Sequence, residues 1–377
     1  MSSISSLTPI SLLNQIEKPH LDLGIVALTD SAPIIMAQQL GLFSKWGLNV
    51  ELHMQNSWAT LRDKLHTEKL DAVQMLAPMP MASSMGLLGP ACPLLTAFNL
   101  SMNGNAITLS QSLFDDIKCL NDGVIPDLPL AGQWLAEIIE KRKLSPSYKP
   151  LTFAVVYPFS CHHYQLRDWL ESGGIDVDKE VDIIIIPPTQ MTQALADNTI
   201  DGFCVGAPWN TKAVRDGIGC TVITSCDIWS ESPEKVLAVT QAWQRANPNT
   251  FLALIAALQE ACEWLAFPPN RFETAIKLSQ PEYLNEKLDI IAPALLDSCL
   301  TSLESSPREI PAYIRFYTRQ ANYPTLAQGH ALLVDMQRAG QVPNSLTDLQ
   351  LKQWIEQIYR PDLYQQMRQI QQQVASM

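Results

Sequence analysis

The sequence predicts a two-lobe α/β protein with a ligand cleft between the lobes and a mainly helical C-terminal part. At 377 residues the chain is too long for one typical hydrophobic core. Buried-strand and helix patterns alternate over residues 21–73, and the same order begins again at residue 151. Such alternation is typical of open α/β sheets, which bind ligands at the carboxyl ends of their strands.

The predicted first lobe begins with an apolar strand over Leu21–Leu28. Thr29-Asp30-Ser31 offers N-cap side chains for the next helix, and Pro33 suits the first turn of that helix. The alternating stretch LNVELHM predicts the second strand. Ser57 is the expected cap of the helix WATLRDKLHTEKL, and a third strand begins at Leu70.

The predicted second lobe repeats this plan. Residues 151–158 predict a strand, and a capped helix follows Ser160 and ends at Gly173-Gly174. The run VDIIIIPP is a second buried strand, TQMTQALADNTI a helix, and IDGFCVG a third strand that leads into Ala207-Pro208-Trp209. The two halves therefore share weak internal symmetry rather than a short-period repeat.

The predicted boundaries follow from this symmetry. Residues 1–20 form a flexible N-terminal arm, residues 21–112 and 229–377 form lobe 1, and residues 113–228 form lobe 2. The chain is expected to leave lobe 1 near residues 109–113 and to return near residues 228–237. The last helix, over 361–375, either packs on the body or stays solvated and available to a partner.

Composition and charge exclude several classes of protein. A net charge of −12 disfavours direct nucleic-acid binding, and no stretch reaches the ~18 apolar residues of a membrane span. The N-terminus has no signal-peptide pattern, and the eight cysteines are scattered without a CxxC pair. We therefore expect a cytoplasmic protein without a membrane segment, a zinc site or a thioredoxin motif.

Trp58 is the first candidate for ligand binding. It stands in the first turn of its helix, where free backbone N–H groups and the positive end of the helix dipole favour an anion. Its indole N–H is a further neutral donor. Pro78-Met79-Pro80, after the next strand, would form a rigid apolar floor. The alternative for Trp58 is an ordinary place in the hydrophobic core.

Other candidates lie at equivalent corners of the fold. His162 and His163 open the matching helix of lobe 2, so one of them is expected to face the cleft; a role only in capping is the alternative. Cys161 beside them permits a Cys-His nucleophile, although a small buried cysteine is commoner. Lys235 leads into the strand VLAV and either reaches a cleft anion or is a solvated charge at the strand end.

Asn103 and Asn105, in NGNAITLS, offer amide donors near the outgoing crossover. The Asn-Gly pair is also an ordinary turn signal. The sequence contains no G-x-S-x-G, no Gly-rich phosphate loop and no HExxH. A binding protein is therefore favoured over an enzyme.

The chain resembles the nitrate- and bicarbonate-binding branch of the transporter-type substrate-binding proteins. The resemblance covers residues 21–300 and lies in the stretches DSAPIIMAQQLGLFSKWGLNVEL, SWATLRDKL, LDAVQMLAPMPMA, NGNAITLS, HHYQLRDWL, DGFCVGAPWN and DIWSESPEKVLAVTQAW. It implies a type II periplasmic-binding-protein-like fold with an oxyanion between two α/β lobes. One departure is Ala207, where an acidic residue in a GEPWN motif is expected.

The resemblance also implies the ligand contacts. The predicted ligand-binding set is Trp58, Asn103, Asn105, His162, Pro188 and Lys235. A lysine at position 235 fits nitrate, whereas bicarbonate-binding relatives carry an acidic residue there that recruits a metal. Nitrate is a flat monoanion, best held by one cation and several neutral donors. No metal and no cofactor are expected.

Within that branch the chain is most similar to cytoplasmic nitrate/nitrite sensors. This similarity implies a non-catalytic protein that binds nitrate or nitrite and controls a NasT-type partner, an RNA-binding antiterminator with an ANTAR domain. Two alternatives stay open. They are the receptor of a nitrate ABC transporter and, more remotely, an enzyme that uses Cys161 and His162.

Overall fold

The computed structural model describes residues 15–87, 89–343 and 345–376. Two β-sheets, of six and five strands, form its framework, with helices packed around them. The strands, numbered in chain order, are β1 His20–Val26, β2 Asn49–Gln55, β3 Ala72–Leu76, β4 Leu94–Asn103, β5 Asn105–Ser110, β6 Leu151–Val155, β7 Val181–Ile185, β8 Gly202–Gly206, β9 Gly219–Thr224, β10 Pro233–Thr240, β11 Ser298–Cys299, β12 Arg308–Glu309 and β13 Ile314–Arg315.

The α-helices are numbered in the same way. They are α1 Ala32–Gln39, α2 Leu42–Lys45, α3 Trp58–His66, α4 Met79–Ser84, α5 Gln111–Leu120, α6 Gln133–Lys143, α7 Cys161–Ser172, α8 Val177–Glu180, α9 Met191–Ala196, α10 Trp209–Arg215, α11 Ser225–Ile228, α12 Gln241–Ala246, α13 Pro248–Trp264, α14 Pro268–Leu278, α15 Leu288–Leu295, α16 Leu326–Arg338, α17 Asp348–Ile358 and α18 Pro361–Ala375.

Each sheet contains three parallel strands that the sequence pattern predicted. The first sheet has the order β13-β4-β10-β3-β1-β2, in which β1 is parallel to β2 and β3. The second has the order β7-β6-β8-β5-β9, in which β6 is parallel to β7 and β8. An antiparallel strand joins each set: β10 pairs with β3, and β5 pairs with β8.

Two predicted helix caps are present and one prediction is wrong. The Ser57 hydroxyl accepts a hydrogen bond from the Thr60 N–H at 3.1 Å, and the Ser160 hydroxyl accepts one from the His163 N–H at 3.1 Å. Ser31 is the N-cap residue of α1, but its side chain makes no capping hydrogen bond to the helix. Thr29-Asp30-Ser31 instead forms a 3-10 turn in which the Ser31 hydroxyl donates to the Leu28 carbonyl. The Asp30 side chain is thereby left free to point inward.

Pro78-Met79-Pro80, predicted as a rigid apolar floor, forms the start of a helix. Pro78 is the N-cap residue of α4, and Pro80 lies in its first turn. Proline is tolerated there because its fixed φ suits the helix and the missing N–H would have no partner within the helix. Pro78, Met79 and Pro80 are buried, at the end of the fully buried strand β3.

The chain passes between the sheets at Gly104, before the predicted boundary at residue 112. Asn103 and Gly104 have φ values of 61° and 100°, a conformation that Asn and Gly adopt more readily than other residues. Residues 105–110 therefore belong to the second sheet by pairing. The return lies beside the outgoing crossover, because the Asn103 N–H donates to the Ser232 carbonyl at 3.0 Å.

Both ends of the described chain are attached to the first lobe. The predicted arm lies mostly outside the described residues, but the Glu17 carboxylate accepts hydrogen bonds from the Thr250 N–H and hydroxyl, each at 2.8 Å. At the other end, α18 packs on α13 and buries Leu363 and Met367. The packed alternative for the last helix is confirmed.

Among the described residues, no single helix is long and apolar enough to cross a membrane. One pair, α13 with α14, passes by length and composition only, and it is bent by 113° at its break.

Candidate ligand-binding site

Four of the predicted site residues lie together at the carboxyl ends of parallel strands from both sheets. Lys235, on β10, pairs with Leu76, the last residue of β3. Asn105 pairs with Gly206, the last residue of β8. His162 lies in the first turn of α7, which follows β6, and Trp58 opens α3 after β2. This is the place where open α/β sheets bind ligands.

Lys235 is fully buried and is paired with two carboxylates. Its Nζ lies 2.7 Å from Glu234 Oε1 and 2.9 Å from Asp30 Oδ2. Gln74 holds Asp30 from the other side, since its Nε2 donates to Asp30 Oδ1 at 2.7 Å. Nζ also lies 5.5 Å from the centroid of the Trp58 ring. The solvated strand-end alternative for Lys235 is therefore wrong.

Glu234 connects the two lobes through the same group of residues. Asn105 Nδ2 donates to Glu234 Oε2 at 2.7 Å and to Gln165 Oε1 at 3.0 Å. His162 Nε2 lies 3.5 Å from Glu234 Oε1. The flat Glu234 carboxylate thus contacts Lys235, Asn105 and His162, which are three of the side chains predicted to hold a flat oxyanion.

Burial sets the protonation of this group. Burial raises the pKa of the Asp30 and Glu234 carboxyls above their ordinary values, although Lys235 opposes the shift. Burial also lowers the pKa of Lys235, but Asp30 and Glu234 outweigh it and the pKa is raised. Burial, with Lys235 nearby, holds the pKa of His162 well below its ordinary value. Lys235 is therefore the charged cation here and His162 a neutral imidazole.

Several buried polar atoms of this group, and one of Thr29 next to Asp30 in the chain, have no hydrogen-bond partner within the described structure. They are Thr29 Oγ1, Trp58 Nε1, Asn105 Oδ1, His162 Nδ1, His162 Nε2 and Gln165 Nε2. A buried polar group without a partner costs free energy, so such groups normally bind water or a ligand. Trp58 Nε1 and Gln165 Nε2 can only donate, and a hydroxyl or a neutral imidazole can donate as well. These donors suit an acceptor with several oxygens, whereas Asn105 Oδ1 is itself an acceptor and needs a donor.

Trp58 is buried in the core, as one of its two predicted alternatives has it, and its role in ligand binding stays a prediction. Its side chain is 1% exposed and belongs to the main hydrophobic cluster, as a core residue does. Its indole N–H nevertheless has no partner, and its ring faces the Lys235 ammonium. Because burial alone does not satisfy the N–H, Trp58 retains a donor for a ligand.

Asn103 and Pro188 are not joined to this group by the polar contacts that the structure describes. Asn103 Oδ1 accepts from the Ser232 N–H at 3.1 Å, so the side chain closes the crossover turn. Pro188 begins the 3-10 helix Pro188–Gln190 after β7. The turn alternative therefore accounts for Asn103, and ligand binding by either residue stays a prediction.

His163 and Cys161 have different surroundings from His162. His163 is partly buried, and burial with the nearby Arg167 lowers its pKa to about 4. Cys161 is fully buried, and its Sγ donates to the Pro233 carbonyl at 3.3 Å. Burial raises the pKa of the Cys161 thiol well above its ordinary value. A Cys-His nucleophile needs the opposite shift.

Sequence reasoning missed the residues that surround the lysine. Asp30 was assigned to a cap, and Glu234, Gln74 and Gln165 were not considered. Neighbours on a regular strand point to opposite faces, so Glu234 and Lys235 would not be expected to share a site. The pairing of β10 with β4 shifts register around Lys235. Such a bulge changes side-chain direction and brings both residues to one site.

One group of possible metal ligands lies elsewhere in the described part of the chain. Asp22, Glu51 and His53 offer ligand atoms within 4.8 Å of one another on the adjacent strands β1 and β2. These side chains are exposed or half-buried. The expectation of no metal in the cleft stays a prediction.

The sequence profile of the NMT1-like family matches residues 14–279. The chain belongs to this family. Within it, the Synechococcus elongatus nitrate/nitrite binding protein NrtA is 32% identical over 352 residues, which are 91% of this chain and 76% of that protein. The family is thus that of the NrtA-like substrate-binding proteins.

Another relative is longer than this chain. The nitrate import ATP-binding protein NrtC of Synechocystis is 35% identical over 355 residues, which are 93% of this chain and 50% of NrtC. The chain therefore spans about half the length of the first curated relatives that it matches.

The fold agrees with a solved member of the family. The crystal structure of the periplasmic nitrate-binding protein NrtA from Synechocystis superposes with a TM-score of 0.85 at 28% identity, covering 94% of this chain and 90% of that one. The predicted periplasmic-binding-protein-like fold is confirmed.

Proposed function

We propose that this protein binds nitrate or nitrite between its two lobes and acts as a non-catalytic cytoplasmic sensor of the NasS type. The observation that carries the proposal is the buried group around Lys235, which joins one cation to several donors without partners. A flat monoanion with three oxygens matches this set in its need for one cation and several weak donors. The named relatives NrtA and NrtC bind or import nitrate, which supports the same ligand.

The buried group around Lys235 lies between the two lobes, so a ligand bound there can control how the lobes are arranged. Glu234, Lys235 and Trp58 come from elements of the first lobe, whereas Asn105, His162 and Gln165 come from the second. A ligand bound to both sets favours the arrangement in which the lobes are close together. A partner that prefers the other arrangement would be released, and the coupling would be reciprocal.

The proposed partner is a NasT-type RNA-binding antiterminator, as the sequence resemblance implies. The acidic chain, with a net charge of −12, fits a protein partner better than direct contact with RNA. All eight cysteines are free thiols, which accords with a reducing compartment. Nitrate should release the partner from an immobilised complex, and retention of the partner at saturating nitrate would contradict the sensor role.

A transporter receptor is the second candidate. It is favoured by the match to the nitrate/nitrite binding protein NrtA over 76% of that protein. Nitrate binds in both cases, so affinity does not separate the two roles. The separating measurement is co-purification: a receptor should associate with ABC transporter components, and a sensor with the antiterminator.

Calorimetric titration tests which anion the protein binds. Nitrate and nitrite should bind. Sulfate, a dianion, should bind much more weakly, because it needs a second compensating cation. Among the described residues, Lys235 is the only Lys or Arg with a nitrogen within 4.0 Å of the Asp30 and Glu234 carboxylates. Bicarbonate should bind much more weakly than nitrate, with or without added metal, because Lys235 stands where the resemblance implies a metal-recruiting acidic residue in bicarbonate-binding proteins. Failure of both nitrate and nitrite to bind would overturn the proposal.

Lys235→Glu tests whether the Lys235 cation is needed for nitrate binding in the same titration. It replaces the pairing cation with a third carboxylate in a buried group, so nitrate affinity should fall by ~2 to 5 kcal/mol, which is ~30-fold or more. Lys352→Glu is the control, since that side chain is 72% exposed on α17. Circular dichroism establishes that both variants fold, and unchanged nitrate affinity in folded Lys235→Glu would remove Lys235 from the site.

A further inference from the structure

The buried group around Lys235 carries more negative than positive formal charge. Lys235 contributes one positive charge, and Asp30 and Glu234 contribute one negative charge each. The exposed fractions of the Lys235, Glu234 and Asp30 side chains are 0%, 0% and 3%. Within the described structure, no Arg nitrogen and no second Lys nitrogen lies within 4.0 Å of either carboxylate.

An anion that enters this group without compensation would add a second excess negative charge. Water cannot screen that charge well, because the surrounding side chains are buried. The cost would oppose every donor contact that the anion makes. A site with this composition therefore needs a compensating positive charge whenever it binds a monoanion.

We propose that the site binds its anion together with one proton, which the Asp30–Glu234 pair takes up from solvent. This inference rests on the proposed function, because it describes how the same cleft accepts nitrate. The charge balance is one anion and one proton added to the free protein, with no bond other than the new carboxyl O–H. Glu234 thus determines, with Asp30, that the cleft accepts a monoanion only when a proton accompanies it.

Other groups that face the pair do not serve as the proton acceptor. The polar and titratable side chains around it, element by element, are Asp30 of the 3-10 turn, Gln74 of β3, Asn105 of β5, Cys161, His162 and Gln165 of α7, Cys204 of β8, and Glu234 and Lys235 of β10. Burial raises the pKa of both thiols, so they already carry their protons. Burial lowers the pKa of His162, so protonating it is costly.

The two carboxyls are suited to share the proton. Glu234 Oε1 and Asp30 Oδ2 both contact the same ammonium nitrogen, so protonation of one leaves the other paired with Lys235. Burial raises the pKa of each carboxyl above its ordinary value, although Lys235 opposes the shift. Because the two interact through one cation, the proton belongs to the pair and not to one residue.

Calorimetry in two buffers measures the proton directly. Nitrate is titrated at about pH 7.5 in phosphate and in Tris, whose ionisation enthalpies differ, and the difference in observed heat gives the number of protons taken up. We expect about one proton for each nitrate bound. Where the free pair is deprotonated, the dissociation constant should rise ~10-fold for each unit increase in pH.

Glu234→Gln tests whether Glu234 and Asp30 take up the proton. The amide keeps the shape of the side chain and removes one negative charge, so proton uptake should fall to about zero and affinity should no longer depend on pH. Glu231→Gln is the control, because Glu231 lies on the same segment but pairs with Arg315 and is 41% exposed. Asp30→Asn replaces Glu234→Gln if the latter does not fold.

The outcomes separate the two proposals. Nitrate binding with no buffer-dependent heat and no pH dependence would overturn proton uptake and leave the proposed function intact. Uptake retained in both Glu234→Gln and Asp30→Asn would overturn the assignment to the pair. Absence of nitrate binding at every pH between about 5 and 9 would overturn both.

Discussion

Trp58 shows how one residue can belong to the core and still offer a donor. Its ring is buried, whereas its N–H has no partner in the described structure. Trp58→Phe keeps most of the apolar volume and removes the N–H. Nitrate affinity should therefore fall by one charge-assisted hydrogen bond, ~1.5 to 3 kcal/mol, with little change in melting temperature.

The control for this prediction is Trp243→Phe. That indole N–H donates to Asp71 at 2.9 Å, outside the group around Lys235. Trp243→Phe should keep full nitrate affinity. If Trp58→Phe binds nitrate normally but melts much earlier, Trp58 serves only the core.

At the residue scale, the local sequence predicted the hydrogen-bond donors of the site better than it predicted the carboxylates around them. Trp58 and His162 could be placed because each follows a cap serine at the start of a helix. Lys235 was indicated by its position before an apolar strand. Glu234 and Asp30 could not be predicted, since one depends on a change of register in β10 and the other on a 3-10 turn. The register change arises from pairing with strand β4, which is distant in sequence from β10.

At the scale of elements, α7 and α16 are joined by a group of charges that we call the latch: Arg338, Asp168, Glu171 and Asp335. Arg338 Nη2 lies 2.8 Å from Asp168 and 3.3 Å from Glu171. Arg338 Nη1 lies 3.8 Å from Asp335. One guanidinium thus serves three carboxylates. Burial, helped by Asp168, raises the pKa of Asp335 to about 6.

The raised pKa predicts the effect of Asp335→Asn. The folded protein holds this proton more tightly than the unfolded chain, so stability from this group is fully present below about pH 4 and is lost as pH rises through about 6. Asp335→Asn should therefore raise the free energy of unfolding by about 1 kcal/mol at pH 8, a value discounted for partial exposure, and leave it unchanged near pH 4.

Urea unfolding at both pH values measures this difference. Asp116→Asn is the control, because Asp116 is 50% exposed and pairs with Arg142. A destabilised Asp335→Asn at pH 8 would show that Asp335 is needed as a charged partner of Arg338.

The elements themselves were largely predictable, and the exceptions have local causes. Repeated strand and helix patterns predicted both sets of parallel strands. The crossover was placed too late because residues 105–110 form a strand that joins the second sheet, and nothing in their own pattern shows which sheet they enter. The start of a helix at Pro78-Met79-Pro80 was not predicted, because proline at a first helical turn and proline in a turn look alike in sequence.

At the scale of the whole molecule, the described arrangement has its lobes close together. Asn105 of the second sheet donates to Glu234 of the first at 2.7 Å, and Trp58, His162 and Lys235 are at most 1% exposed. An anion cannot reach these side chains from solvent in this arrangement. Entry of a ligand therefore requires the lobes to separate first.

This requirement predicts the kinetics of binding. In stopped-flow fluorescence the observed rate should level off at high nitrate, because opening of the lobes becomes rate-limiting. Arg338→Ala removes the cation of the latch and leaves three carboxylates that repel one another across α7 and α16. Since exposed ion pairs contribute ~0.2 to 1 kcal/mol each, the limiting rate of lobe opening should rise several-fold in Arg338→Ala.

Arg360→Ala is the control, because Arg360 pairs with Asp362 within its own segment. A rate that increases linearly with nitrate in the wild-type protein would show that the cleft is accessible without opening.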